Sequence, residues 1–247
     1  MVPSVSDGFG PDRYGESFAD VYDDWYDDVS DAVATSTFVS AFGERQRIIE
    51  LGVGTGRLST PLAEAGHQVV GIDASMAMLA KFRSPEPAWP VAADMRDLPV
   101  ASGASDTVLV ATNTLFNLHE PGAQARCLRE ARRVLRLGGR LIVEAMVPGD
   151  PDPALDRLVT TKAIDVDVAI LTATIRNHDA QEIVGQHIEL RESGTRLRPW
   201  KIRYSTPDQL DTMADAAGFR LGERWANWSR APFGSDATNA VSVYVAV

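Results

Sequence analysis

Apolar positions recur along this chain in two different periods. Between residues 47 and 147, short runs of Val, Ile and Leu alternate with stretches of helical spacing. Residues 47–51, 68–72, 89–92, 106–111 and 140–146 read as strands. Residues 58–65, 75–83 and 121–137 read as helices, the first closed by Gly66 and the last by Gly138 and Gly139. The strand runs are almost continuously apolar, as expected where both faces of a parallel sheet are covered by helices. After Pro148 the period shortens to two. Residues 166–174, 183–191 and 196–204 predict three strands separated by the hairpin signals NHDAQ and ESGT, an antiparallel unit inserted in the α/β domain. Thr206, Pro207 and Gln209 then carry the N-cap, N1 and N3 chemistry of a capping box, and Gly218 closes that helix. Residues 219–225 and 240–247 read as the last two strands.

The first forty residues have a third pattern. Tyr14, Phe18, Tyr22, Trp25, Tyr26 and Val29 recur at helical spacing and predict one amphipathic helix with an aromatic face. Asp20, Asp23, Asp24, Asp27, Asp28 and Asp31 load the rest of it. An aromatic face of this kind serves either as plain core or as a lid over a pocket.

Composition narrows the function. The net charge of −10 argues against sequence-independent nucleic-acid binding, which relies on Lys and Arg neutralising phosphates. The single cysteine, Cys127, excludes an internal disulfide and a cysteine-built metal site; it reads as a small core residue. No apolar run reaches transmembrane length, and the first residues show no basic end followed by an apolar stretch, so the expected location is the cytoplasm.

The chemistry concentrates in IIELGVGTGRLSTPLAEAGHQVVGIDAS, residues 48–75. A glycine loop between a strand and a helix lets bare backbone approach a ligand, with helix N–H groups aimed at it. A dinucleotide fingerprint wants G-x-G-x-x-G. Here Gly52, Gly54 and Gly56 alternate, preceded by Glu50. An acid in that place repels a pyrophosphate but suits an ammonium group. Asp73, ending the second strand, is placed to accept from both hydroxyls of a ribose, and Asp94, after the third, from an adenine amine. A ligand with an adenosine, a cationic amino-acid end and no phosphate is S-adenosylmethionine (SAM).

These residues, with ELGVGTG (50–56), GIDAS-MAML (71–79), AADMRDLP (92–99), DTVLVATNTLFNL (106–118) and LRLGGRLIVEA (135–145), make the chain resemble the class I SAM-dependent methyltransferases over nearly its whole length. The resemblance implies a Rossmann-like, seven-stranded, mostly parallel sheet with helices on both faces. It implies one methyltransferase domain over 1–247: an aromatic helical lid (1–40), a SAM-binding core (41–147), an antiparallel insert over the active site (148–205) and the last helix and strands (206–247). It assigns Glu50, Gly52, Gly54 and Gly56 to the methionine end of SAM. Asp73 falls to the ribose, Met78 to the adenosine, Asp94 and Met95 to the adenine, and Asn113 to the sulfonium, with Ala74 also at the cofactor. The product would be S-adenosylhomocysteine (SAH), and no metal is expected.

YGESFADVYDDWYDD is similar to the entry helix of small-molecule methyltransferases, and Tyr14 and Tyr22 match the tyrosine spacing of sugar-amine N-methyltransferases. Those enzymes carry a histidine soon after the fourth strand where this chain has Asn117; His119 follows two residues later. The chain is also similar to actinobacterial methyltransferases with a W-x-x-W-x-R-x-PF tail, here Trp225, Trp228, Arg230, Pro232 and Phe233. On this basis Tyr14, Tyr22 and His119 are candidate catalytic residues, with His187 a further candidate base for an acceptor that arrives protonated, and Tyr26, Asn117, Glu144, Gln186 and Arg203 candidate acceptor contacts. Along 183–191, Val184, Gln186, Ile188 and Leu190 share a face opposite His187, which predicts Gln186 inward and His187 outward. Arg176, Arg196, Arg198, Arg203 and Arg230 mark either a carboxylate-bearing acceptor or a solvated sheet face. The expected function is methyl transfer to an O or N atom of a small-molecule acceptor, by a monomer or homodimer that engages neither nucleic acid nor membrane. A SAM-binding protein without transferase activity, a methyltransferase of protein side chains and an NAD-dependent oxidoreductase are the competing readings; the glycine spacing opposes the last.

Overall fold

The computed structural model describes residues 8–26 and 32–247. Three short helices come first: α1 (Arg13–Phe18), α2 (Tyr22–Tyr26) and α3 (Ala32–Ser40). A β/α alternation follows: β1 (Arg47–Leu51), α4 (Ser59–Glu64), β2 (Gln68–Asp73), α5 (Met76–Leu79), β3 (Ala88–Ala92), β4 (Ser105–Val110), α6 (Ala123–Val134) and β5 (Leu135–Met146). Next come the insert strands β6 (Arg157–Ile164), β7 (Val168–Asn177), β8 (Glu182–Arg191) and β9 (Gly194–Arg203), then α7 (Pro207–Ala216), β10 (Phe219–Trp225) and β11 (Asn239–Ala246).

The main sheet runs β10-β11-β5-β4-β1-β2-β3. The five strands from β5 to β3 are parallel, and β11 lies antiparallel between β5 and β10. Successive apolar residues serve opposite faces, as continuous runs of Ile, Val and Leu require. Ile49, Val108, Val110, Leu141 and Val143 pack with Leu128 and Ala131 of α6 and Leu210 and Ala214 of α7. Ile48, Leu109 and Ile142 turn the other way, toward Phe38 and Val39 of α3 and Leu62 of α4. Cys127 is buried in the first of these layers, and burial pushes its thiol up to about 12, as a core residue. The capping box of α7 forms as read, Thr206 accepting from Gln209 N while the Gln209 side chain accepts from Thr206 N.

Several elements depart from the sequence reading. The single amphipathic N-terminal helix is broken into α1 and α2, because Asp20 between them turns toward the insert to meet two arginines. Val29, Asp27, Asp28 and Asp31 lie outside the described residues. The helix read over 121–137 stops at Val134, and Gly138 and Gly139 lie inside β5. They form an irregularity there: Gly138 sits at φ +71°, and a Cβ on Gly139 would come within 2.9 Å of Arg136 O and 3.1 Å of Asp106 O. The insert has four strands rather than three. β6 escapes a period-two reading because it is an edge strand, exposed along its whole length, with polar and apolar residues mixed. No helix among the described residues is long and apolar enough to cross a membrane.

Candidate active site

The parallel strands β1, β2 and β3 end at one edge of the sheet, and the loops that follow β1, β2, β3 and β4 build a cleft there. Its walls include Gly52, Gly54, Ile72, Asp73, Ala74, Met78, Asp94, Met95, Thr114 and Leu118. Two of the glycines answer different constraints. Gly52, at φ +71°, lies where a Cβ would stand 2.3 Å from the Thr114 methyl group. Gly54, at φ +56°, has open space ahead of it, the nearest atom from a Cβ being Tyr22 Cε1 at 3.9 Å. Gly52 thus lets the loop after β4 pack against it, whereas Gly54 presents bare backbone to the cleft. Gly56 packs beneath Phe82.

The acids of the motif are fixed in place. Asp73 accepts from Gly54 N through Oδ2 and from Ser75 N through Oδ1, both at 2.8 Å. Each oxygen keeps a lone pair for another donor. Burial raises the Asp73 carboxyl, against the opposing N–H groups of Ser75, Gly54 and Ala74. Glu50 is buried and accepts from Ser59 Oγ at 2.6 Å. Burial pushes it up to about 7, with Ser59 and Arg57 pulling the other way. It borders a small extension of the cleft with Gly52, Arg57, Thr112, Thr114 and Tyr22. Asp94 is engaged by Arg96 through the backbone N, Nε and Nη2 at 2.7–3.0 Å. Burial works to raise its carboxyl, but the Arg96 bonds outweigh it and hold Asp94 below the usual range.

The first two helices close this cleft. Tyr14, Gly15 and Tyr22 form part of its wall. A Cβ on Gly15 would fall 2.3 Å from Ser75 Cβ, so α1 sits directly against the start of α5. Glu16 Oε1 accepts from Ser75 Oγ and Ala77 N at 3.0 and 3.1 Å. Thr55 Oγ1 donates to Asp23 Oδ1 at 2.6 Å, joining α2 to the glycine loop. Arg198 of β9, only 1% exposed, holds the turn between α1 and α2: Nη1 donates to Ser17 O and Asp20 Oδ1, both at 2.6 Å. Its Nη2 reaches Asp20 Oδ2 and Glu189 Oε2. Gly15, Glu16, Asp23 and Thr55 carry no local sequence signal for these roles, since each partner is remote in the chain.

A second cavity of about 260 Å³ opens beyond the cleft and shares Tyr14, Tyr22, Thr114 and Asn117 with it. Tyr26, Thr112, Asn113, His187, Trp200 and Ile202 complete its lining. Among the described residues, no Asp, Glu, Lys or Arg lines it. Burial pushes the phenols of Tyr14, Tyr22 and Tyr26 up, so all three face it as neutral hydroxyls. Thr112 and Asn113 stand at φ +54° and +59°, a conformation fixed from β5. Glu144 Oε2 accepts from Thr112 N at 2.8 Å, and Asn113 Oδ1 accepts from Met146 N at 2.6 Å.

The structure therefore assembles Tyr14, Tyr22, Tyr26, Asn113 and Asn117 around one cavity, and leaves out others from the sequence list. His119 turns aside: its Nδ1 meets Asn117 O at 3.2 Å and its ring lies edge-on to Phe9. Glu144 braces the 112–113 loop and accepts from Asn239 Nδ2, away from the cavity. Arg203 lines a separate groove with Gln124 and Tyr204. Gln186 and His187 are reversed relative to the expectation, and His187 faces inward. The inner face of β8 is the row Ile183, Gly185, His187 and Glu189, all buried. It is set by two features that local hydropathy does not carry: Trp200 packs so closely over Gly185 that a Cβ there would meet its ring at 2.0 Å, and Glu189 pairs with Arg198. The arginine cluster does not converge: Arg196 and Arg198 hold Asp20, and Arg230 stacks on Phe38 and Phe42. The tryptophan tail is likewise structural, with Trp228 buried edge-on to Phe38.

Comparison with known proteins agrees with this architecture. Residues 49–143 match the family model described as a methyltransferase domain. The chain is 32% identical over 219 residues to the cypemycin N-terminal methyltransferase of a Streptomyces species, covering 85% of this chain and 88% of that protein. It is 31% identical over 133 residues to the putative methyltransferase YqeM of Bacillus subtilis (strain 168), of whose length the match spans about half (54%). The structure of the CcbJ methyltransferase from Streptomyces caelestis superposes with a TM-score of 0.89 at 35% identity, over 97% of this chain and 100% of that one. The glycine loop, the strand order and these relatives agree: the chain belongs to the class I SAM-dependent methyltransferases.

Proposed function

We propose that the chain transfers a methyl group from SAM to a nitrogen, or failing that an oxygen, of a small-molecule acceptor seated in the 260 Å³ cavity. The observation that carries this reading is the cavity itself: it adjoins the cleft, is walled by aromatic rings and neutral polar groups, and is roofed by the α1–α2 segment and the insert. A roofed chamber suits a small molecule better than a protein surface. Nitrogen is preferred because a relative of this length and identity is named for methylation at an N-terminus.

The residues of the cleft fit SAM. The open face of Gly54 admits close backbone contact, Asp73 retains acceptor capacity for ribose hydroxyls, and Ile72, Met78, Met95 and Leu118 offer apolar surface to an adenine. Glu50, beside Arg57, would hold the amino-acid end, and Asp94 the edge of the base. When bound, SAM supplies an activated methyl group on a sulfonium. The chain's contribution is alignment and exclusion of water. Tyr14 and Tyr22, shared by cleft and cavity with Thr114 and Asn117, would border both ligands, and the fixed 112–113 loop would line the acceptor side. Among the described residues no carboxylate lines the acceptor cavity, which suits an amine that enters uncharged and needs no base.

The test is calorimetric titration of SAM and SAH into wild type and Asp73→Ala, beside a turnover screen over small amines, phenols and acids. Micromolar binding that collapses in the variant, with turnover on an amine, is the expected result. Absence of binding to wild type would overturn the cofactor reading, and saturable binding without turnover on any acceptor would favour a SAM-binding protein that is not a transferase.

A further inference from the structure

His187 reaches the cavity from the insert, as Trp200 does, whereas the tyrosines come from the lid and Asn113 and Asn117 from the core. It is 8% exposed and is wedged among rings: Phe18 and Trp25 meet it edge-on at 5.5 and 5.6 Å, and Trp200 lies tilted at 6.2 Å. Its Nδ1 is paired with Thr172 Oγ1 at 2.8 Å, which fixes the plane of the ring. Its other nitrogen, Nε2, has no hydrogen-bond partner among the described residues, yet the side chain lines the cavity. Nε2 is not among the fully buried unpaired atoms, so it is open to take a hydrogen bond from a ligand or a water in the cavity.

Its surroundings set the form that it offers. Among the described residues, the charged groups packed around it are Lys162 of β6, Arg198 and Glu189 of the inner sheet face, and Asp20 of the lid turn; Tyr14, Tyr22 and Tyr26 are the titratable groups that share the cavity. Both acids are spent on Arg198. Burial, with Lys162 and Arg198 nearby, lowers the imidazole to about 4, so it stays neutral at physiological pH. A group of that pKa is a poor proton acceptor from an amine but a good hydrogen-bonding partner. The same cations, with no acid lining the cavity among the described residues, disfavour a cationic guest.

We propose that His187, through Nε2 and with Thr172 fixing its ring, makes a direct hydrogen bond to the methyl acceptor, and that the cavity takes acceptors that are uncharged and carry an apolar or aromatic body beside that polar group. This rests on the cavity being the acceptor site, as proposed above. His187 is then a contact that sets acceptor specificity, and Thr172 a positioning residue.

The experiment uses SAH-loaded protein labelled with ¹⁵N in histidine, titrated with aniline, benzyl alcohol and phenol as neutral probes and benzyltrimethylammonium as a cationic one. The expected result is a shift of the His187 Nε2 resonance with at least one neutral probe and none with the cation. His187→Phe should weaken that probe about tenfold, the worth of one hydrogen bond at the upper end of its range. His187→Gln, which keeps a polar end, should recover part of the loss, and Thr172→Val should weaken the probe while leaving the ring present. SAH affinity measured alongside should stay within about twofold in all three variants, since His187 does not line the cofactor cleft. No Nε2 response to any neutral probe, or equal response to the cation, would overturn the proposal. Loss of SAH binding by wild type would instead indict the reading of the cleft.

Discussion

Glu50 shows how one residue can be placed for a ligand at the expense of the fold. It is 3% exposed, and its carboxyl is pushed from 4.5 up to about 7 by burial. A raised carboxyl means that the folded chain binds the proton more tightly than the unfolded one. The associated stability is complete below pH 4.5 and is lost as the pH rises through 7, by about 3 kcal/mol in all. Glu50→Gln keeps an oxygen for Ser59 and removes the charge. Without ligand, the variant should match wild type near pH 5 and melt several degrees higher at pH 8, while binding SAM at least tenfold more weakly. Melting curves at the two pH values with a calorimetric titration check both halves. A variant less stable than wild type at pH 8 would show that Glu50 serves the fold. The placement of Glu50, Gly54 and Asp73 at one cleft was legible because strand, loop and acid follow one another within 25 residues, and the geometry is local. The inward orientation of His187 was not, because it depends on partners in other strands.

At the scale of elements, the junction between the lid and the insert is an ion-pair network centred on Arg198. Its members differ in how many partners they have. Asp20 is also held by Arg196 at 2.7 Å, and Glu189 by Arg191 at 2.6 Å, whereas the guanidinium of Arg198 is itself deeply buried. Removing one partner of a buried charge costs about 3–5 kcal/mol, but removing the charge itself is often nearly neutral. Asp20→Asn, which strips the stronger partner and leaves Arg198 buried with Glu189, should therefore destabilise more than Arg198→Met. Both should release the lid: proteolytic cleavage within residues 13–26 should accelerate, and SAM should dissociate faster. Equal melting temperatures with unchanged proteolysis would dismiss the network as a latch. The sequence announced the core strands and the α7 capping box by period and cap residues. It misplaced the start of β5 because Leu135 continues an apolar helical pattern across the boundary, and it missed β6 because an exposed edge strand has no buried face to write a period.

For the whole molecule, the lid is the element that binds the insert to the core. Phe18 is fully buried, stacks on Tyr14 at 4.6 Å, and meets Trp25, Tyr26 and His187 edge-on. Its cluster with Ala19 and Met78 is distinct from the two core layers of the main sheet and meets the first of them through Trp200. Truncating a buried phenylalanine costs about 3–5 kcal/mol. The position of Phe18 determines where that loss falls. If the β-sheet core folds on its own two layers, Phe18→Ala should raise hydrogen exchange in α1, α2, β8 and β9 while β1, β4 and β5 keep wild-type protection. The main melting transition should move only slightly, and saturating SAM should restore most of the protection by binding the closed form. If exchange rises uniformly instead, lid, insert and core are one cooperative unit, and the closed cleft is a permanent feature of the fold rather than a state that the ligand selects. The first outcome fits the geometry: Tyr14, Gly15 and Tyr22 wall the cleft, so a lid weaker than the core would provide a way in.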